Sequence, residues 1–265
     1  MKIIAIIGSP KGKGAGYKIV KMLEDRMKSI GKVEFEYLFL KNANLKPCIG
    51  CYKCMTMGEE KCPLKDDRSN IEQKLLEADG IILSSPVYVN NVSGLMKNFI
   101  DRFAYRNHRP CFHRQKVLSV GNMAGGGNKE TLSALSVTLG GSYKVHELGI
   151  STPPWMQTER SIAKKERAID IASKKFYQAC IDKSLPSPTL YSYVTFLIMQ
   201  KIYTEYKHIF PADYEFYNKK SYYFDTKINP IKVAVAKIIV KFMTSMMKDL
   251  LAGKVSWPPA KNEEE

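Results

Sequence analysis

Through its amino-terminal two-thirds the chain alternates short apolar runs with longer stretches in which apolar side chains recur at helical spacing. Lys2 to Ile7 is β-branched and apolar and stops at Gly8, which predicts a buried first strand. From Gly16 to Ile30, residues Ile19, Met22, Leu23 and Met27 fall on one side of a helix. Val33 to Leu40 alternates as a second strand. Ser69 then stands as the cap of a helix carrying Ile71, Leu75 and Leu76, before Gly80 to Leu83 forms a third strand. A helical pattern over Leu95 to Phe103, a fourth strand at Lys116 to Val120 and a helix over Lys129 to Leu139 follow. Tyr143 to Leu148 is the fifth strand, and a long helix spans Ile162 to Ile181.

Strands separated by helices require right-handed parallel crossovers. The pattern therefore predicts an α/β fold with a doubly wound, five-stranded parallel sheet in the order 2-1-3-4-5. The composition changes at Ser184 to Pro188, where two prolines in a polar stretch cannot continue the preceding helix. A first domain over 1–183 and a helical, aromatic-rich extension over 184–265 are expected. The extension reads as a helix from about Tyr191 to Tyr206, an aromatic loop through Tyr223 and a helix from about Pro230 to Leu251. The closing AKNEEE reads as disordered.

A length of 265 residues with 45% apolar content suits one packed α/β core and an appended region. Lys and Arg number 41 against 26 Asp and Glu, and the net +15 favours anionic partners: phosphates, nucleotides, acidic proteins or a lipid surface. The charge is spread, without an arginine-rich run or an aromatic RNA-binding signature, so nucleic acid is not expected as a partner. No apolar run reaches the length of a spanning helix, and MKIIAIIGSP lacks the cleavage site and longer core of a secretory signal. Four of the six cysteines crowd into fifteen residues. In a chain without a secretory signal this density points to a metal or redox site and to the cytoplasm.

In an open parallel sheet, ligands gather beyond the carboxyl ends of the strands. The loops after strands one, three and four are the unusual ones. The first, GSPKGKGAGYK, offers small residues whose backbone N–H groups approach a phosphate, the hydroxyl of Ser9, the charges of Lys11 and Lys13, and the positive end of the following helix. It lacks the Gly-Lys-Ser/Thr of a P-loop and the GxGxxG of a dinucleotide site, so a single terminal phosphate is the fitting guest. Taken alone it also reads as a flexible basic turn. The second, SSPVYVNNVSG, ends its strand at Pro86 and offers Val87, Tyr88, Val89 and Asn90 beside an aromatic face, with Ser93 capping the next helix. A Pro-kinked turn with a core tyrosine is the plainer alternative. In the third, VGNMAGGGNKE, Gly125, Gly126 and Gly127 permit close approach to a ligand or simply form a surface turn.

Cys48, Cys51, Cys54 and Cys62 form CxxCxxCx7C, whose first three thiolates can fold around one metal centre while the fourth returns after a turn through Gly58. The spacing suits a [4Fe–4S] cluster. Zinc accepts the same four thiolates, although its sites more often pair two separated CxxC knuckles, and reactive or structural free thiols are the remaining reading. Lys46, Lys53, Lys61 and Lys65 would offset the negative charge of such a centre, or line a solvated basic loop. Cys111 and Cys180 read as isolated buried thiols.

Together, GSPKGKG, CIGCYKCMTMGEEKCPLKDD and ADGIILSSPVYVNNVSGLMKNFIDR resemble the NADPH-dependent FMN reductase-like and iron–sulfur flavoprotein families over roughly residues 1–180. The ordered combination carries the resemblance, above all SPVY with its downstream KNFIDR. It implies a flavodoxin-like homodimer or homotetramer that binds FMN through Ser9, Lys11 and the Gly14, Gly16 and Tyr17 turn. Pro86, Val87, Tyr88, Val89 and Asn90 would follow, then Asn122, Ala124, Gly125 and Gly126. Relatives often place Asn then Ser or Thr where this chain has Gly16 and Tyr17, so the phosphate turn departs from the pattern. The implied activity is an FMN-dependent oxidoreductase fed by NAD(P)H or, with a cluster on the four cysteines, by ferredoxin; a flavodoxin-like binding protein without catalysis is the third reading. The flavin would do the chemistry, and no histidine is assigned a catalytic role. In the extension, Lys237, Lys241 and Lys248 edge an apolar helix that could meet an anionic membrane but more commonly packs on protein.

Overall fold

The computed structural model describes residues 1–246. Its sheet is built from β1 (Lys2–Ile7), β2 (Glu34–Phe39), β3 (Gly80–Pro86), β4 (Lys116–Met123) and β5 (Tyr143–Ser151). All pairs are parallel and the order is 2-1-3-4-5, the doubly wound arrangement of flavodoxin-like proteins. Successive side chains of a strand point to opposite faces. Ile3, Ala5 and Ile7 accordingly join one core, under α1 (Ala15–Ile30) and α6 (Glu159–Ile181), where Leu23 and Phe176 are fully buried. Ile4 and Ile6 join the other, under α3 (Arg68–Glu77), α4 (Gly94–Arg102) and α5 (Asn128–Ser136), where Leu75 and Phe99 meet them. With both faces covered, β1 has to be apolar at every central position.

Two local expectations shift. The cap of α3 is Asp67 rather than Ser69, which lies inside the helix; the Asp67 carboxylate is occupied in accepting the Asn44 N–H at 2.8 Å. β5 runs on to Ser151 because β4 continues to Met123 and pairs with it.

The chain divides into two compact units, Met1–Cys51 with Pro63–Pro186, and Tyr52–Cys62 with the chain from Ser187 onward. The second unit holds α2 (Lys53–Thr56), α7 (Leu190–Glu205), α8 (Pro211–Tyr217) and α9 (Pro230–Met246). The helix α8, opened by Pro211 at its first position, interrupts the stretch expected to be an aromatic loop. Phe196, Tyr203, Tyr217 and Tyr222 form an aromatic core with Ala236 of α9. On the other side of α9, Ile231, Ile238, Phe242 and Met246 are exposed. The expected continuation of this helix to Leu251, with Lys248, and the closing AKNEEE lie outside the described residues. No described helix is long and apolar enough to cross a membrane.

Candidate functional site

At the carboxyl end of β1, Ser9 is buried and the loop is drawn tight by bonds from the Gly12 N–H to the Ser9 carbonyl (2.9 Å) and from the Gly14 N–H to the Gly12 carbonyl (2.8 Å). Gly14 is the N-cap of α1 and supplies no side-chain cap, while the first intrahelical bond runs from Lys18 N–H to the Gly14 carbonyl. The N–H groups of Ala15, Gly16 and Tyr17 therefore keep the positive end of α1 available to an anion. Lys11 and Lys13 are exposed beside it. Tyr17, counted in sequence among the phosphate-turn residues, has its ring packed on Tyr37 and Phe39 of β2, at centroid distances of 5.1 and 5.7 Å. Only its backbone remains for a phosphate.

The three strand-end loops meet. A Cβ at Gly16 would stand 2.8 Å from Asn122 Oδ1 on β4 and 2.9 Å from Ser84 Oγ on β3, so glycine is what lets α1 approach both strands. The Gly8 N–H bonds the Ser84 carbonyl at 2.8 Å, and the Val87 N–H bonds the Asn122 carbonyl at 2.9 Å. Gly127, at φ +84°, lies so close to Asn90 that a Cβ would fall 2.7 Å from the Asn90 Cα. By contrast Ala124, Gly125 and Gly126 are exposed, and a Cβ at either glycine would meet nothing within 4 Å. The third loop thus offers an unobstructed backbone rim.

Between them the second loop makes a tight turn. Tyr88 and Asn91 exchange both backbone hydrogen bonds (2.8 and 3.0 Å), with Val89 at φ 48° and Asn90 at φ 59°. Two successive left-handed residues define a type I′ turn, a conformation that Asn tolerates and a β-branched residue strains against. The turn lifts Tyr88 to 45% and Val89 to 98% exposure, an apolar surface beside the rim. Asn122, which is nine-tenths buried, has its Oδ1 without a hydrogen-bond partner. Such an orphan in a folded core marks a place where a donor is missing. A buried acceptor, a helix N-terminus, an open glycine rim and an apolar ledge are together what a phosphorylated, planar heterocycle needs.

Sequence reasoning passed over the loop after β5. Because β5 neighbours β4, its end stands beside the third loop: the Thr152 N–H bonds the Met123 carbonyl at 2.6 Å, and Asn122 Nδ2 reaches Thr152 Oγ1 at 3.5 Å. Trp155 and Met156, 65% and 96% exposed, project from this loop. A solitary Trp-Met pair following a fifth strand was the available signal.

All six cysteines stand outside any disulfide. Cys48 and Cys51 are exposed and Cys54 and Cys62 half-buried; Cys180 is buried, and burial pushes its thiol up to about 12. Four thiols in the motif have the donor chemistry of a thiolate-held centre. Among the described residues, no three Cys, His, Asp or Glu side chains are drawn together as around an ion.

A family model described as NADPH-dependent FMN reductase matches residues 1–148, from β1 to within β5. The chain belongs to the NADPH-dependent FMN reductase family. This makes it an FMN-dependent oxidoreductase of flavodoxin-like fold. Its similarity to curated relatives in this family includes an iron–sulfur flavoprotein of Methanocaldococcus jannaschii, 40% identical over 139 residues that cover 51% of this chain and 69% of the relative. An iron–sulfur flavoprotein of Clostridioides difficile is 30% identical over 206 residues, 76% of this chain and 89% of the relative. One from Archaeoglobus fulgidus is 26% identical across its full length and 84% of this chain. Among solved structures, a flavone reductase superposes with a TM-score of 0.53 at 18% identity, covering 70% of this chain and 66% of that protein, a likeness of fold.

Proposed function

We propose that this FMN reductase family member is an electron-transfer flavoprotein of the iron–sulfur type. FMN would lie across the carboxyl ends of β1, β3 and β4, and Cys48, Cys51, Cys54 and Cys62 would hold a [4Fe–4S] cluster. In this reading the N–H groups at the start of α1, with Ser9 and Lys11, receive the phosphate. Pro86 to Asn90 and Asn122 to Gly126 hold the ring, Tyr88 and Val89 forming its apolar neighbour. The observation that carries the flavin placement is the buried Asn122 Oδ1 without a partner, at the point where the three loops meet. The cluster assignment is supported by the CxxCxxCx7C spacing and by the iron–sulfur flavoproteins among the relatives. When bound, FMN would supply the exchange between one- and two-electron steps, and the cluster one-electron transfer with a ferredoxin-like carrier.

The family description favours a second reading, in which NADPH reduces the FMN directly and the cysteines serve another purpose. Anaerobic purification followed by flavin, iron and sulfide analysis, with stopped-flow NADPH oxidation, separates the two. Cluster-stoichiometric iron and sulfide with no direct NADPH oxidation is expected. A yellow, iron-free protein that oxidises NADPH would overturn the first reading in favour of the second, and a colourless protein that ignores added FMN would overturn both.

A further inference from the structure

The segment KNFIDR forms most of α4, yet the proposed flavin site uses none of its side chains. Its Lys97 and Asp101 pair with each other on the solvent side. Asn98 and Arg102 turn instead to the base of the cysteine loop.

The Asn98 amide satisfies three backbone groups at once. Its Nδ2 donates to the Leu45 carbonyl at 2.9 Å and to the Lys46 carbonyl at 3.3 Å, and its Oδ1 accepts the Cys48 N–H at 3.1 Å. One turn along, the buried Arg102 donates to the Lys46 carbonyl at 2.7 Å and holds Asp66 with both terminal nitrogens. Asp66 in turn accepts the Lys46 N–H at 2.9 Å. Lys46 precedes the first cysteine of the motif and Asp66 follows the last, so one buried ion pair closes the loop at its base. A second rung lies beneath it, where Asn44 N–H meets the Asp67 carboxylate at 2.8 Å and Asp67 N–H meets the Asn44 carbonyl at 3.0 Å.

The other end of α4 is tied to the flavin loops. Ser93 caps the helix, donates its hydroxyl to the Gly8 carbonyl, and donates its backbone N–H to the Ser85 hydroxyl oxygen at 3.0 Å. A nine-residue helix, about 13 Å long, thus has the first and second flavin loops fastened at its start and the base of the cysteine loop at its end.

We infer that Asn98 and Arg102 are positioning residues for the cysteine centre: they fix the backbone of Cys48 and the base of its loop to the helix that is anchored at the flavin loops. The inference rests on the proposed cluster. Groups that orient metal ligands without touching the metal commonly change its affinity and electronic properties when removed.

Asn98 is half-buried and outside the ion pair, which makes Asn98→Ala the informative variant. Wild type, Asn98→Ala and Asn98→Asp, each full length, are to be reconstituted anaerobically with ferrous iron and sulfide. Iron and sulfide content, the electron paramagnetic resonance of the reduced centre, FMN content and the thermal midpoint are then measured. For Asn98→Ala, an iron affinity about tenfold weaker and an altered resonance are expected, with FMN content as in wild type and a modestly lower thermal midpoint from the lost hydrogen bonds. Asn98→Asp, whose carboxylate still accepts the Cys48 N–H, is expected to recover part of the loss. A fully loaded Asn98→Ala protein with an unchanged signal overturns the positioning role alone. An Asn98→Ala protein that loses FMN together with iron also overturns it, because a general structural defect then accounts for both. Wild type that takes up no iron removes the cluster reading and this inference with it.

Discussion

At the scale of single residues the proposed flavin site trades stability for binding. Asn122 Oδ1 is buried without a donor, a state that costs about 1–3 kcal/mol. Asn122→Leu is therefore expected to leave the flavin-free protein as stable as wild type or more so, while weakening FMN binding by about tenfold, the worth of one lost hydrogen bond. Thermal melts with and without FMN and a fluorescence titration test this, and unaltered affinity would refute the role of Asn122. At Gly16 there is no room for a side chain between α1, Asn122 and Ser84. Gly16→Ala should cost about 1–3 kcal/mol through overpacking and weaken FMN binding in the same titration. Val89 holds a left-handed conformation at 98% exposure, so Val89→Asn should relieve strain and raise stability by about 1 kcal/mol, read from urea unfolding.

Among the elements, α4 carries more than its length suggests. Its capping serine accepts the Met96 N–H at 3.2 Å, donates to Gly8 and is braced by Ser85. Ser93→Ala removes the cap and leaves the Gly8 carbonyl and Met96 N–H unsatisfied in a buried setting. The expected loss is about 2 kcal/mol, the upper end for a capping residue, measured as a shift in urea midpoint. FMN affinity should fall with it because Gly8 opens the loop proposed to hold the phosphate. Ser93 was legible in sequence as a cap, since it directly precedes an apolar run of helical period. Ser69 also looked like one and is not: Asp67 closes a rung with Asn44, and α3 starts one residue earlier than Ser69. A cap is chosen by what the preceding loop must bond, which local spacing does not record.

For the molecule as a whole, the Arg102–Asp66 pair joins segments far apart in the chain, with both side chains nearly inaccessible. Burial alone would raise the Asp66 carboxyl, but the Arg102 hydrogen bonds and the backbone N–H groups of Arg68 and Lys46 outweigh it and hold the group below its ordinary 3.8. The stabilisation is thus complete above that value and is lost as pH falls from it through the lower folded value. Arg102→Met should cost about 3–5 kcal/mol at neutral pH by stranding a buried carboxylate, and the gap from wild type should close in acid as Asp66 takes up a proton. Urea titrations of both proteins from pH 7 to about 3, spanning the ordinary carboxylate value, provide the check; a gap independent of pH would contradict it. The period of apolar residues by itself determined the five strands and their flanking helices, because burial on both faces imposes a pattern on neighbouring residues; crossover handedness only narrowed the sheet order to the doubly wound ones, of which 2-1-3-4-5 is the one formed. Glycine and proline punctuation likewise located the three loops, and cysteine spacing is what motivates the proposed thiolate centre. Only the tertiary structure decided that Tyr17 turns onto β2, that Asn122 Oδ1 stands without a partner, that Thr152 sits beside the third loop, and that Asn98 and Arg102 grip residues some fifty positions away. Those facts depend on which side chains reach each other across the fold, and a one-dimensional pattern of burial holds no term for that.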